Sequence, residues 1–264
     1  MKENKKVVYY NDLLNDDFAG TKIKEKPFPK KYKYIHKKNF LWNLTAFLVY
    51  FIVAVPVLWI TGKIMSGVKV KGRKNLKKLR KTGYFVYGNH TQITDAWLVQ
   101  AYMLRFRRGY IFADKDAISI PGIRGLVTML GCLAMPDVEH GEDFIEAIKY
   151  HYNKKHVLVV YPERHIWPYY THIRPFPDDS FIYPASLGAP VVPICINYRQ
   201  RKFRKNASPR MTVYVGKPIY PDLNKSLPER KKILRDKTYE FMLDKSSEEE
   251  NIEHIIYIQK KKEE

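Results

Sequence analysis

One grouping in the sequence has the residue types for proton transfer: Asn89-His90 and, five residues past the histidine, Asp95. An imidazole whose second nitrogen is held by a carboxylate is fixed in one tautomer. It can take a proton from a hydroxyl while the carboxylate stabilises the imidazolium that forms. That is general-base activation of an alcohol, with the nucleophile supplied by a substrate. The spacing dictates the local structure required. On one continuous helix, residues five apart lie roughly 140° from each other, so the two side chains meet only where the chain bends between them. The sequence supplies that bend. Tyr84-Phe85-Val86-Tyr87 reads as a strand, Gly88 to Thr94 as a turn, and Asp95 to Arg105 as an amphipathic helix. Thr91 or Thr94 is placed to cap the helix, and Asp95 gains from the positive end of its dipole. With 8 His in the chain, the pair alone is a weak signal, and a surface histidine near an unrelated acid is the bland alternative. The rest of the chain has to decide.

The elements around the pair alternate. Strands are expected at Val68 to Gly72, Gly109 to Ala113, Cys132 to Met135, Val157 to Tyr161, Val191 to Tyr198 and Met211 to Val215. Between them, helical stretches run from Asp114 to Leu130 (broken at Pro121-Gly122), Gly141 to Lys155, Asp178 to Leu187 and Pro228 to Ser247. Strands that alternate with helices and are apolar on both faces predict an α/β fold, a largely parallel mixed sheet flanked by helices. In such sheets chemistry gathers beyond the strand C-termini, and His90 and Glu163 both lie just past such ends.

Residues 1–39 are polar, basic and without a clean period, and read as a loosely ordered or interface-lying arm. Residues 40–66 open with Phe40 to Ile60, whose only polar members are Asn43 and Thr45. As a helix that run is about 31 Å long, enough to cross a hydrocarbon core. Lys30, Lys31, Lys33, Lys37 and Lys38 precede it, and Lys63, Lys69, Lys71, Arg73 and Lys74 follow. Basic flanks resist translocation, so both ends belong on the cytoplasmic face of the cell membrane. A helix or kinked hairpin dipped into one leaflet is expected, with a single crossing as the alternative. Residues 67–247 form the main domain and residues 248–264 a charged, solvated tail.

The chain of 264 residues carries a net charge of +20, from 47 Lys+Arg against 27 Asp+Glu. Such an excess favours a polyanionic surface; beside an apolar run this long, that surface is anionic membrane lipid, and nucleic acid is not an expected partner. Cys132 and Cys195 both sit in apolar runs and read as buried small hydrophobes in a reducing compartment. No G-x-S-x-G elbow, no phosphate-cradling G-x-x-x-x-G-K-[ST] and no G-x-G-x-x-G follows a strand, which removes serine hydrolases, P-loop enzymes and dinucleotide enzymes. The histidines show no metal spacing, and no metal is expected.

Asn89-His90 with Asp95, Tyr161-Pro162-Glu163 and Pro190-Val191-Val192-Pro193 follow one another at the ends of successive strands. This order resembles the glycerolipid acyltransferase family, the 1-acylglycerol-3-phosphate acyltransferases and their relatives, over about Val68 to Ile219. The family carries four blocks: N-H-x(4)-D, G-x-[IV]-x-[FI]-x-R, F-P-E-G-T-R and V-P-I-x-P. The first matches fully, and the fourth matches in its two prolines and apolar residues. In the second, Gly131 to Asp137, Asp137 stands where arginine is expected. In the third, Arg164-His165-Ile166 replaces Gly-Thr-Arg. The resemblance implies acyl transfer from a thioester, acyl-CoA or acyl carrier protein as co-substrate, to the hydroxyl of a lysolipid acceptor. It implies His90 as general base, Asp95 as its orienting partner, and no cofactor. In the family the two arginines hold the acceptor's phosphate, so Lys115, Glu163, Arg164 and Arg174 become the candidate substrate contacts here. Two other readings stay open at this level: a non-enzymatic basic membrane-binding protein with a lost acceptor site, and a thioester or lipid hydrolase using the same dyad.

Overall fold

A computed structural model describes residues 5–20, 26–29, 32–104, 106–119, 122–203 and 207–260. Lys30, Lys31, Arg105 and Pro121, named above, lie outside the described residues. At the centre of the molecule is β3 (Tyr84–Tyr87), whose four residues are all buried. It is hydrogen-bonded on one side to β6 (Val157–Val160) and on the other to β7 (Val191–Arg199), both parallel to it. Beyond β6 lie β4 (Gly109–Ala113) and β5 (Cys132–Ala134), also parallel. Beyond β7 lies β8 (Arg210–Val215), antiparallel, followed by β2 (Lys69–Lys71). The seven-stranded order β2-β8-β7-β3-β6-β4-β5 is therefore parallel except where β8 meets β7. Near-continuous apolar runs in β3, β6 and β7 follow from this, because helices cover both faces.

The covering helices include α3 (Asp95–Met103), the short α4 (Asp116–Ser119) and α5 (Arg124–Met129), α6 (Gly141–Asn153), α7 (Ile182–Leu187) and α8 (Leu227–Ser246). Ser226 and Glu229 form a reciprocal capping box that starts α8. Phe40–Ser66 is one continuous helix of 27 residues. It contains α1 (Phe40–Phe47) and α2 (Val55–Thr61), joined by π-helical turns at Leu48–Ala54 and extended by others at Gly62–Ser66. It is not a hairpin, and it lies along the domain. Tyr50 is buried; its hydroxyl donates to Gln100 Oε1 at 2.9 Å and accepts from the Gly109 amide at 3.0 Å. Trp59 accepts at its carbonyl from the Tyr102 hydroxyl, and Arg201 reaches the Met65 carbonyl near the far end. The other faces are bare, with Phe40, Leu41, Ile52, Val53, Ile60 and Ile64 all more than half exposed.

The arm and the tail correct the sequence reading. Instead of a loose arm and a solvated tail, β1 (Lys6–Tyr10) pairs in parallel with β9 (Ile255–Gln259) in a two-stranded sheet. Residues 26–29 and 32–39 are fastened as well: Phe28 and Tyr34 are buried, and the Tyr34 hydroxyl donates to the Ala134 carbonyl at 2.8 Å.

Candidate active site

His90 sits where β3 hands the chain to α3. Gly88 permits that exit, because a Cβ there would lie 2.7 Å from Ile194 Cγ1 on the neighbouring strand. Asn89 then ties the turn to β7, its side-chain amide donating to the Ile196 carbonyl at 3.0 Å and its oxygen accepting from the Ile196 amide at 2.8 Å. Thr94 occupies the cap position of α3 but makes no side-chain cap bond. Asp95 fastens the turn instead. Its Oδ2 accepts from the Thr91 amide (2.7 Å), the Thr91 hydroxyl (3.0 Å) and the Gln92 amide (2.7 Å). Thr91 also shares a 2.7 Å hydrogen bond with the hydroxyl of Tyr198, which is fully buried.

This turn brings the His90 imidazole to Asp95, with Nδ1 3.6 Å from Oδ2. The separation exceeds a hydrogen bond. Yet Nδ1 and the second Asp95 oxygen, Oδ1, are both buried, and neither has another partner among the described residues. The ring stacks on Tyr161, centroids 4.3 Å apart and planes 20° apart, which limits its tilt. The position before Pro162-Glu163 gave no sign of this in the sequence, where it read only as the end of an apolar strand.

The backbone of the histidine is held by the next strand end. Glu163 Oε2 accepts from the His90 amide at 3.3 Å, and the His90 carbonyl accepts from the Trp167 amide at 3.3 Å. Glu163 and Arg174 are expected above to contact substrate, and here the structure corrects the expectation. Their side chains are 1% and 0% exposed and form an ion pair at 3.3 Å. The Glu163 Oε1 also takes the Arg174 amide at 3.0 Å. Arg174 donates to the carbonyls of Leu13 and His165 and lies 5.0 Å over the Trp167 ring. Burial pushes the Glu163 carboxyl up, against the lowering effect of the Arg174 guanidinium and of the amides it accepts from. The pair is a brace under the His90 turn, closed to a ligand.

A cavity of about 750 Å³ opens beyond the strand ends, lined by His90 and Tyr161. Arg164 lines it in a left-handed conformation (φ 64°), its guanidinium 3.6 Å from Asp179. Lys115 is not among the lining residues. Asp137 lies off the cavity too, bonded to His140 Nδ1 at 2.6 Å, and that hydrogen bond holds its carboxyl below the usual range. Cys132 lines the inner wall, and burial pushes its thiol up to about 12, which keeps it protonated and unreactive. Two further walls are Trp97 of α3 and Val127 of α5, the helices against which α2 and α1 pack. The cavity thus stands beside the long apolar helix. Among the described residues, no three His, Cys, Asp or Glu side chains converge as a metal ion would need.

Residues 67–197 match the family model described as Acyltransferase. The fold is similar to the crystal structure of the 1-acyl-sn-glycerophosphate (LPA) acyltransferase PlsC from Thermotoga maritima, with a TM-score of 0.56, 17% sequence identity, and coverage of 80% of this chain and 97% of that one. No curated protein sequence matches the chain. The matched span opens at the glycine before β2 and closes within β7, so it holds the His90 turn, the Glu163 turn and the proline pair of β7. On that match, residues 67–197 carry an acyltransferase domain, and the fold is the one seen in a 1-acyl-sn-glycerophosphate acyltransferase.

Proposed function

We propose that the protein transfers a fatty acyl group from a thioester, on coenzyme A or acyl carrier protein, to a hydroxyl of a lysolipid held at the membrane. The observation that carries this reading is the His90 imidazole on a 750 Å³ cavity, with its inner nitrogen turned to a fully buried carboxylate. The acceptor hydroxyl gives its proton to Nε2 as its oxygen bonds to the thioester carbonyl carbon. Asp95 stabilises the imidazolium, and collapse of the tetrahedral intermediate breaks the carbon–sulfur bond and returns the proton to the leaving thiolate. Substrate binding closes the 3.6 Å gap, since such hydrogen bonds tighten in the reacting complex. The amides of Thr91 and Gln92 are spent on Asp95, which leaves those of Ile93 and Thr94, at the positive end of α3, to receive the oxyanion. This route needs no metal or cofactor.

The cavity also bears on the acceptor. Asp17, Asp114, Asp116 and Asp179 line it, against one guanidinium, Arg164, that already faces Asp179. In a chain of net charge +20 the cleft is locally acidic, and it repels a terminal phosphate dianion. The acceptor is therefore a lysolipid or glycolipid whose headgroup ends in a neutral or diester group. Lys37, Lys38, Lys63, Lys69 and Lys71 keep both ends of the apolar helix on the cytoplasmic face.

The test is one labelled acyl thioester offered with a panel of acceptors, products read by mass. Transfer to neutral-headed acceptors is expected to exceed transfer to lysophosphatidic acid. His90→Ala is expected to lower transfer by at least about 10²-fold with an unchanged melting temperature. A fully active variant sinks the reading, and free fatty acid as the sole product would replace it with hydrolysis.

A further inference from the structure

A second cavity, of about 530 Å³, lies at the other edge of the sheet, where the chain enters β4 and β6. Arg107 and Arg108 line it from the segment before β4, and Lys154 and Lys155 from the segment before β6. His151 and His156 stand between them, and no carboxylate lines the cavity among the described residues. None of the four cations forms an ion pair among the described residues.

The guanidinium groups are positioned by neutral partners. Arg107 donates to the carbonyls of Leu79 at 2.8 Å and Thr82 at 2.7 Å, and Arg108 to those of Ala46 at 3.4 Å and Met129. Carbonyls fix a cation in place without cancelling its charge. Two buried nitrogens have no partner among the described residues: Nε of Arg108 and Nε2 of His151, which is 3% exposed. The Nδ1 atoms of His151 and His156 lie 3.1 Å apart. When the His151 atom is the acceptor in that contact, its Nε2 carries a proton and offers a donor. Lys155 holds a left-handed conformation (φ 60°) just after α6, a position that ordinarily takes glycine or asparagine.

The opposite wall is hydrocarbon. Trp42, Phe47 and Phe51 of the long apolar helix line it, and Phe47 continues onto the exposed face of that helix. Four uncompensated cations facing an apolar wall match a phosphate carried on an acyl chain.

We propose that this cavity binds the headgroup phosphate of an anionic phospholipid, with Arg107, Arg108, Lys154 and Lys155 around the phosphate and the acyl chain laid against Trp42, Phe47 and Phe51. The site is separate from the His90 cavity and independent of turnover. It fixes which face of the molecule meets the bilayer.

The full chain is floated with vesicles of phosphatidylcholine alone or mixed with phosphatidylglycerol. The variant Lys154→Gln/Lys155→Gln is compared with Lys232→Gln/Lys237→Gln on α8, which removes the same charge from other exposed lysines. The first pair is expected to lose about tenfold in affinity for the phosphatidylglycerol vesicles and the second less than about threefold. All four side chains are exposed, so both proteins fold; Arg108→Gln provides a second variant at the cavity. Equal losses from the two pairs overturn the site in favour of bulk charge. A soluble short-chain phosphatidylglycerol is expected to protect the wild type from thermal unfolding where the same concentration of inorganic phosphate does not. Equal protection by phosphate overturns the lipid assignment.

Discussion

At the scale of single residues, the strongest consequence concerns Arg174. A buried ion pair that loses one partner leaves an unpaired charge in low dielectric, at a cost of about 3–5 kcal/mol. Arg174→Ala is therefore expected to melt well below the wild type, and to lose activity through kcat as the His90 turn loosens. Were Arg174 a substrate contact after all, the variant would fold normally and show a raised KM. Sequence alone could not separate these cases: a basic residue beside Pro175-Phe176 in so basic a chain looks the same whether it points to solvent, to a headgroup or to Glu163. His90 and Asp95 were legible because their identities and spacing specify the bend that joins them. Tyr161 was not, since nothing in a strand's alternation says which ring its last residue covers.

At the scale of elements, the central strands could be read from apolar runs bounded by turn residues, and β4 runs over the very residues expected, Gly109–Ala113. The pairing of β1 with β9 could not, because its partners stand at opposite ends of the chain and each alone is too short and mixed to declare itself. This clasp matters to the site. Just after β1, Leu13 accepts from Arg174, the Asp16 carbonyl accepts from Trp167 Nε1 at 2.7 Å, and the Phe18 amide donates to Ile166. Ending the chain after Glu253 is expected to lower the melting temperature by several degrees and to expose the segment from Arg164 to His172 to protease. A truncated protein as resistant as the full chain would show the clasp to be idle.

The segment between α6 and β6 sets an acid limit. Burial and the nearby Arg108, Arg107 and Lys154 lower His156 to about 4, and burial with His156 and Arg108 lowers His151. Between about 4 and the ordinary value near 6.5, the unfolded chain binds protons that the folded chain refuses. Stability is thus fully present above pH of about 6.5 and drains as pH falls toward 4. Melting temperatures across that window are expected to drop, and less steeply in His156→Gln. An unchanged slope would clear these histidines.

At the scale of the whole molecule, the long helix bears on the membrane placement proposed above. Its length satisfied a crossing as well as an interfacial placement, so the sequence left both. The structure holds it against the domain at its start, middle and end through Ala46, Tyr50, Trp59 and Met65. A helix bound lengthwise cannot cross without drawing a charged domain into hydrocarbon. Cysteines placed at Lys38 and Lys69 are therefore expected to react with an impermeant thiol reagent from one and the same side of sealed vesicles. Labelling from opposite sides would restore the crossing.

In the interfacial placement and acyl-transfer activity proposed above, the protein would meet its lipid acceptor by lateral diffusion within a film. Turnover should then follow the mole fraction of acceptor in the sheet, and diluting the acceptor with inert lipid should slow the enzyme even when the total amount in the tube is unchanged.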